Sequence, residues 1–371
     1  MRYWIWMGEQ MKIKLAIAFL ALAISAPAQT YKFSVIHQFH DAPDGNKPIG
    51  QIVVDPSGNA YGTTEGGGRT GLGVVWKLSG TKETVRQFNG KNGHDSESGL
   101  NGSSIYYGTT QEGGGDHNYG TVFQVANDEI SVVHSFTGGL DGRNPTEGIA
   151  LDGAGNLYGV SNSEDGGYGG GIFEISQGVF TIIYAAGGGP IAVDLVGDVF
   201  FLEDTQDGST ALAELVSGSA ELLYTFPSGA GPVDLAVSPD GSTVTGITEY
   251  GGQGYGSIWQ WTETDGEVDL YDFPESEIGL QNPNSPVTFD GLGNAFGTIE
   301  MAGGPHKEFG VAYEVNLGTT NPPVVLHQFT GLNDGYYPLG PLTIDASGNL
   351  YGAANEGGKY QRGTVFKLTK Q

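Results

Sequence analysis

The chain has 371 residues, of which 64 are glycine and none is cysteine, and its 16 basic and 42 acidic residues give a formal net charge of −26. The absence of cysteine excludes disulfides, thiolate metal sites and a thiol nucleophile, so stability must come from packed secondary structure. This excess of acid argues against nucleic acid or an anionic membrane as a partner, because both are bound through basic patches.

The first 28 residues have the pattern of an export signal. Lys12 and Lys14 precede an apolar run, residues 15–24, and residues 26–28 (APA) match a cleavage site. The ten residues of the apolar run are too few to span a bilayer. We therefore predict cleavage after Ala28 and a secreted or periplasmic protein without membrane insertion.

The rest of the chain is predicted to be one domain. Met11 fits the start of the signal better than Met1, which makes residues 1–10 an N-terminal extension. No later segment is apolar enough over the length that a transmembrane helix needs, and we expect no C-terminal anchor. Residues 29–371 are predicted to form a monomeric single domain.

One sequence motif recurs along the chain, and its last copy is the most complete. Residues 345–352 read DASGNLYG, a Gly-rich loop follows, and residues 363–368 read GTVFKL. Repeats of this length, each with several short apolar runs, are typical of a β-propeller. Seven units align on an aromatic position and are spaced 43 to 55 residues apart at Tyr61, Tyr107, Tyr158, Phe201, Thr245, Phe296 and Tyr351.

Four short strands, which we call a to d, fit each unit. In the first unit they are the apolar runs at residues 50–55, 60–64, 74–78 and 85–88, and residues 55–59 (DPSGN) have turn chemistry. Four antiparallel strands make one propeller blade. We therefore predict an all-β fold, a seven-bladed β-propeller with four antiparallel strands per blade.

Large apolar residues recur on strands c and d, where they are expected to pack neighbouring blades face to face. The predicted anchors on strand c are Trp76, Phe123, Phe173, Ala213, Trp259, Tyr313 and Phe366, and those on strand d are Phe39, Phe88, Phe136, Ala186, Phe226, Phe273 and Phe329.

The last unit ends at strand c, and the N-terminus supplies the missing strand. Residues 35–39 (VIHQF) match residues 325–329 (VLHQF) but precede the first strand a. We predict that residues 32–39 pair with the last blade and close the ring, which leaves no exposed sheet edge. The atypical unit is the fourth, in mid-chain, whereas a solenoid has its atypical repeats at the ends.

The motifs resemble a known repeat family. Residues 133–139 (VHSFTGG), 155–159 (GNLYG) and 363–368 (GTVFKL) are similar to the GloVer-type, or Gloeo/Verruco, tandem repeat of secreted bacterial proteins, and the resemblance extends over residues 34–369. It implies export and a repeat fold. It implies no catalytic residues, so none is assigned from it.

The loops between strands b and c each begin with an acid. In a propeller these loops and the d–a loops lie on one face, around the mouth of the central channel. Clustered carboxylates are costly unless they are solvated or bridged by a cation, and oxygen-only ligation suits Ca²⁺. We consider a Ca²⁺-bridged ligand site and a solvated acidic collar without a ligand. The seven acids are Glu65, Glu112, Glu164, Asp204, Glu249, Glu300 and Glu356.

Other polar and aromatic residues allow two interpretations each. Loop tyrosines beside the acids could stack on a sugar ring, or they could pack loop against loop. The recurring His37, His134 and His327 lie on well-separated blades and cannot converge on one ion, so we interpret them as structural and leave any metal ligand set undefined. The candidate ligand-binding tyrosines are Tyr119, Tyr168, Tyr255 and Tyr336.

No catalytic motif of a zinc protease, an α/β-hydrolase or a P-loop enzyme is present in the sequence. We therefore expect a binding protein for extracellular polysaccharide or a surface partner. The alternatives are a carbohydrate-active hydrolase or lyase that uses rim carboxylates, and a structural envelope scaffold. The fourth unit, with Asp204, Asp207 and Glu214, breaks the repeat pattern and hints at where a catalytic site would lie.

Overall fold

A computed structural model describes residues 29–80, 82–145, 147–163, 169–185, 189–275, 280, 282–302 and 309–371. The regular structure within these ranges is entirely β-strand, in seven antiparallel sheets of four strands each. The sheets form a ring, which confirms the seven-bladed propeller. The described ranges contain no helix able to cross a membrane. The predicted signal segment lies outside them.

Within each blade the strands are numbered outward from the channel, and blades 1 to 3 follow the predicted strand order. Blade 1 has β2 (Asn46–Val54), β3 (Ala60–Gly66), β4 (Val74–Ser79) and β5 (Lys82–Gln87); blade 2 has β6 (Asn101–Gly102), β7 (Tyr106–Thr110), β8 (Thr121–Ala126) and β9 (Glu129–Ser135); blade 3 has β10 (Ala150–Leu151), β11 (Leu157–Ser161), β12 (Gly171–Ser176) and β13 (Val179–Tyr184).

Blades 4 to 6 continue in the same way. Blade 4 has β14 (Ile191–Val193), β15 (Val199–Asp204), β16 (Thr210–Val216) and β17 (Ser219–Thr225); blade 5 has β18 (Pro232–Val237), β19 (Thr243–Thr248), β20 (Ser257–Thr262) and β21 (Gly266–Asp272); blade 6 has β22 (Thr288–Phe289), β23 (Asn294–Ile299), β24 (Val311–Asn316) and β25 (Val324–Gln328).

Blade 7 joins the two ends of the chain, as predicted. Its strands are β26 (Thr343–Ile344), β27 (Leu350–Ala354), β28 (Thr364–Lys370) and, outermost, β1 (Tyr31–Gln38). β1 runs antiparallel to β28, with Tyr31 opposite Lys370 and Gln38 opposite Thr364. The N-terminal strand thus supplies the hydrogen bonds that an open ring would lack.

The predicted anchors form the core between blades. Phe88 and Phe136, on the segments that follow β5 and β9, are buried, and Phe88 meets Phe123 of the next blade edge to face at 5.2 Å between ring centroids. Burying one such ring contributes roughly 1.5–3 kcal/mol. Ala186 lies outside the described residues.

The alignment of the fourth unit on Phe201 is wrong by one residue. Phe201 pairs with Ala213, just as Gly159 pairs with the strand c anchor Phe173 in blade 3, so Phe200 is the true equivalent of Tyr158. Gly159 leaves room for the Phe173 ring, since a Cβ there would lie 2.5 Å from it. In blade 4 the large side chain is on strand b and the small one on strand c.

The a–b turn explains why the motif carries Asp, Gly, Asn and Tyr together. Asp152 Oδ1 accepts hydrogen bonds from the backbone N–H groups of Ala154 and Asn156, at 2.9 and 2.8 Å. Asp152 Oδ2 accepts from Asn156 Nδ2 at 2.7 Å and from the Tyr158 hydroxyl at 3.3 Å. Gly155 has the positive φ of 84° that closes the turn.

Candidate functional site

The innermost strands of all seven blades surround a central channel of about 590 Å³. Most of its wall consists of backbone and apolar side chains, contributed by segments such as residues 190–193 and 339–341. Three carboxylates interrupt that wall, Glu97, Glu147 and Asp234. They form the strongest candidate site in the described part of the molecule, and we call them the channel acids.

Each channel acid is positioned by the start of an innermost strand. Glu97 and Glu147 lie a few residues before β6 and β10, and Asp234 lies within β18 beside the buried Leu235. β18 has an irregular register between Pro232 and Asp234, and such bulges redirect side chains at the rims of closed sheets.

Burial shifts the ionisation of the channel acids. Desolvation within the narrow channel raises the pKa of Asp234 to about 7, and the negative charge of Glu147 adds to the effect. Burial likewise raises the pKa of Glu147. For Glu97, burial raises the pKa first, and the charges of Asp95 and Glu65 raise it further. Near neutral pH Asp234 therefore exchanges between its protonated and ionised forms.

The channel acids are not among the site residues predicted from sequence, although the sequence carries a signal for Glu147. Counted back from the turn aspartate, Glu147 takes the position that Gly50 and Gly340 take in blades 1 and 7. An acid at a position that is glycine in other repeats marks a departure from the structural pattern. Aligning the innermost strands, rather than the b–c loops alone, would have found it.

Two of the described rim acids, Glu112 and Glu356, lie in b–c loops that form short bridges with the d–a segments, at His94 and Tyr336. Most are held within their own blade. The side-chain pairs are Lys47 with Glu65 at 2.8 Å, His94 with Glu112 at 3.5 Å, Asn284 with Glu300 at 3.3 Å, Tyr336 with Glu356 at 2.7 Å and Thr210 with Asp204 at 3.1 Å.

The structure brings some rim acids together and keeps others apart. The hydrogen bond that Lys47 Nζ donates to Glu65 raises the pKa of Lys47 despite its partial burial, and the charges of Glu356 and Asp95 add to that rise. Carboxylates of blades 7, 1 and 2 therefore interact electrostatically with the same lysine. Glu249 accepts a hydrogen bond from its neighbour Tyr250, and Glu164 lies outside the described residues.

The three described candidate tyrosines make packing contacts. Tyr119 packs on the core of blades 2 and 3, and Arg143 lies 5.9 Å from its ring centroid. Tyr255 packs on the core between blades 5 and 6. Tyr336 donates its hydroxyl hydrogen to Glu356. Tyr168 lies outside the described residues.

The recurring histidines lie on separate blades, as expected. His134 Nε2 contacts Asp141 Oδ2 and His327 Nε2 contacts Asp334 Oδ2, each at 3.1 Å. Each pair ties an outer strand to the loop that follows it. His37 contacts Asp44 at 3.2 Å in the same way.

Comparison with solved structures finds many propellers at low identity. A structure described as oligogalacturonate lyase in complex with manganese has a TM-score of 0.57 and 13% identity, covering 92% of this chain and 97% of that one. A structure described as the extracellular domain of a hybrid two component system from B. thetaiotaomicron has a TM-score of 0.54 and 12% identity, covering 91% of this chain.

TolB from Acinetobacter baumannii has a TM-score of 0.44 and 12% identity, covering 73% of this chain. The present chain spans 66% of that TolB chain and 39% of the B. thetaiotaomicron chain. At these identities the likenesses establish the fold alone. No curated protein sequence matches the chain.

The sequence itself carries a family signature. Residues 24–194 match the profile of a family described as the Gloeobacter/Verrucomicrobia repeat. This stretch includes blades 1 to 3, and the Asp-x-x-Gly-Asn turn with an aromatic anchor on strand c recurs in blades 6 and 7. Residues 24–194 therefore match the Gloeobacter/Verrucomicrobia repeat, as the motifs predicted.

Proposed function

We propose that this propeller binds the end of an extracellular polysaccharide chain at its channel, after export to the periplasm or beyond. The observation that carries the proposal is the group of three carboxylates inside a channel of about 590 Å³. Small-ligand sites enclose roughly 300–1,000 Å³ and hold a few polar groups in an apolar wall. Carboxylates accept the hydrogen bonds that sugar hydroxyls donate.

The negative charge of the channel acids determines which polysaccharides the channel can bind. A channel lined by Glu97, Glu147 and Asp234 repels uronates and favours neutral or amino sugars. A uronate would need a bridging cation, for which the acids of the loop face, Ca²⁺ and the sugar carboxylate are a suitable set. The proposal therefore predicts calcium-independent capture of neutral polymers and calcium-dependent capture of acidic ones.

The experiment is retention of the purified protein on a panel of neutral, amino and uronic polysaccharides, with Ca²⁺ and with EDTA. Oligogalacturonate with Mn²⁺ belongs in the panel, because a fold relative is described as a lyase of that compound bound to manganese. Supernatants are assayed for released sugar. Capture of at least one polymer without sugar release supports binding, and absence of capture across the panel contradicts it.

Variants separate the channel from the rim. Glu147→Gln should weaken capture about tenfold or more, which corresponds to the loss of one charge-assisted hydrogen bond. Substituting a single rim acid, such as Glu65, should change capture far less, because the rim acids repeat around the face. Glu129→Gln on the exposed outer strand β9 is the matched control for loss of one negative charge. Equal effects of the channel and control variants would contradict the channel as the site.

A second candidate function is glycoside hydrolysis, and the raised pKa of Asp234 favours it. A carboxyl with a pKa of about 7, in the same channel as a second carboxylate, has the form of a general acid with its partner base. This function predicts sugar release that declines above pH 7 and is abolished by either Asp234→Asn or Glu147→Gln. If the panel yields neither capture nor release, a scaffold that binds proteins is the remaining proposal.

A further inference from the structure

The His–Asp pairs of the outer strands are built alike in two places. In each, the histidine ring is covered by a phenylalanine from the next blade's outer strand. His134 stacks on Phe180 with 4.0 Å between ring centroids, and His327 stacks on Phe33 at 3.4 Å. A neutral histidine that bonds one aspartate and stacks on one ring has a sufficient structural role.

The seam between blades 7 and 1 replaces that phenylalanine by a carboxylate. Phe180 and Phe33 pair with Ile175 and Leu368, each two residues after the strand c anchor. The residue paired with the equivalent Leu78 is Glu83. Its Oε1 lies 3.2 Å from His37 Nε2.

A second position changes at the same place. Three residues after the histidine, the other two copies have Thr137 and Thr330, whose hydroxyls donate to the paired aspartate. At the seam this residue is His40, and its Nδ1 lies 2.9 Å from Asp44 Oδ2. Both departures from the repeat introduce side chains that bind metals.

Hydrogen bonding alone leaves the seam unsatisfied. His37 Nε2 carries at most one hydrogen, yet it lies 3.2 Å from both Asp44 Oδ2 and Glu83 Oε1. Glu83 Oε1 is shielded from solvent and accepts no hydrogen bond from the described residues. Asp44 is 2% exposed. The Glu83 side chain is 24% exposed, and two carboxylates held together this closely are stabilised by a positive charge between them.

We propose that His37 Nε2, Asp44 Oδ2 and Glu83 Oε1 bind a Zn²⁺ ion that ties the last blade to the first. The three atoms lie within 4.8 Å of one another. Ligands about 2.0–2.1 Å from a tetrahedral zinc are roughly 3.3 Å apart, close to the 3.2 Å separations from His37.

The rest of the seam suits this ion. The two carboxylates balance the charge of Zn²⁺ when the histidine is neutral, and an imidazole ligand favours zinc over calcium. An open pocket of about 350 Å³ is lined in part by His37 and His40. A water would be the fourth ligand of the tetrahedral ion. His40 orients the Asp44 carboxylate from outside. The ion would join β1, its following loop and β5.

The test is zinc stoichiometry of the full chain, stripped with EDTA, dialysed against micromolar Zn²⁺ and analysed by mass spectrometry, with Mn²⁺ and Ca²⁺ in parallel. We expect one zinc per chain in the unmodified protein. Glu83→Phe, which restores the stacking residue of the other copies, should reduce the affinity at least 100-fold. His40→Thr should reduce it about 10–100-fold. His134→Ala, which removes a sister histidine, should leave it unchanged.

Thermal unfolding with and without zinc gives an independent readout. Zinc should raise the melting temperature of the unmodified protein and of His134→Ala, and should not change that of Glu83→Phe or Glu83→Gln. The glutamine variant covers the case in which phenylalanine disturbs the seam. Absence of stoichiometric zinc in the unmodified protein, or zinc retention in both Glu83 variants, would overturn the proposal. The site is remote from the channel acids, so the result does not depend on ligand capture.

Discussion

Blades 3 and 4 are neighbours with the same strand pairing, but the large side chain lies on strand c in blade 3 and on strand b in blade 4. In blade 3, Gly159 on strand b makes room for the Phe173 ring on strand c. In blade 4, Phe201 on strand b faces Ala213 on strand c, and both are fully or almost fully buried. In these two blades each pair of strands b and c therefore contributes one large side chain, and either strand can supply it.

The two blades differ also in their a–b turns. In blade 3, Asp152 Oδ2 receives hydrogen bonds from Asn156 and Tyr158. Blade 4 has Asp198 and Phe200 at those positions, so both donors are absent. Asp194 keeps its backbone hydrogen bonds, but its Oδ2 is buried without a partner among the described residues. Blade 4 therefore retains the backbone of the turn and loses both hydrogen bonds that side chains donate to the turn aspartate.

The largest expected effect comes from Phe201→Ala, which removes a large buried side chain from the core between blades 3 and 4. We expect the free energy of unfolding to fall by about 3–5 kcal/mol, as for other buried phenylalanines. The double variant Phe201→Gly with Ala213→Phe gives blade 4 the arrangement of blade 3 and should recover at least half of that loss. The measurement is urea unfolding followed by tryptophan fluorescence. A double variant no more stable than Phe201→Ala would refute the exchange of roles.

Removing the turn aspartates should sharpen the difference between the blades. Asp152→Ala deletes an acceptor of four hydrogen bonds and should cost about 2–3 kcal/mol, the range for bonds to a charged group. Asp194→Ala should cost less, because it also removes an unsatisfied buried oxygen. The same unfolding assay measures both. Equal losses would contradict the role assigned to the Asn and Tyr donors.

The turn of blade 3 also predicts a dependence on pH. Burial opposes ionisation of Asp152, but hydrogen bonds from Asn156, Ala154 and Tyr158 outweigh it and lower the pKa. A lowered pKa in the folded state stabilises the protein fully above the ordinary aspartate pKa of about 4, and the gain is lost as pH falls through the folded value. The cost of Asp152→Asn should therefore shrink between pH 6 and pH 3. A constant cost over that range would contradict the assignment.

The blades could be predicted from sequence because the signals are local. The turn residues act within one unit. The anchors and the closing strand at 32–39 act between units with matching sequences. The sequence alignment is wrong at Phe201 because the exchange of Phe and Ala between strands b and c preserves side-chain volume but changes the order of residue types along the chain. The sequence of a single repeat does not show which side chains of different blades come together when the ring closes.

The candidate sites depend on that ring. Glu97, Glu147 and Asp234 are far apart in the chain and share the channel only because innermost strands converge there. The rim acids recur in sequence, but their partners, such as Lys47 for Glu65, are set by loop geometry. Glu83 reaches His37 because the first and last blades are neighbours.

The smallest expected effect is a gain of stability in blade 4. Asp198→Asn places an amide donor where Asn156 lies in blade 3, within reach of the unsatisfied Asp194 Oδ2. We expect an increase of about 1 kcal/mol, the value of one hydrogen bond to a previously unpaired buried group, and a further increase when Phe200→Tyr is added. Asp116→Asn, on an exposed loop of blade 2, is the control for removing one negative charge from this acidic protein. A gain in the control as large as that of Asp198→Asn would assign the effect to net charge instead of the turn.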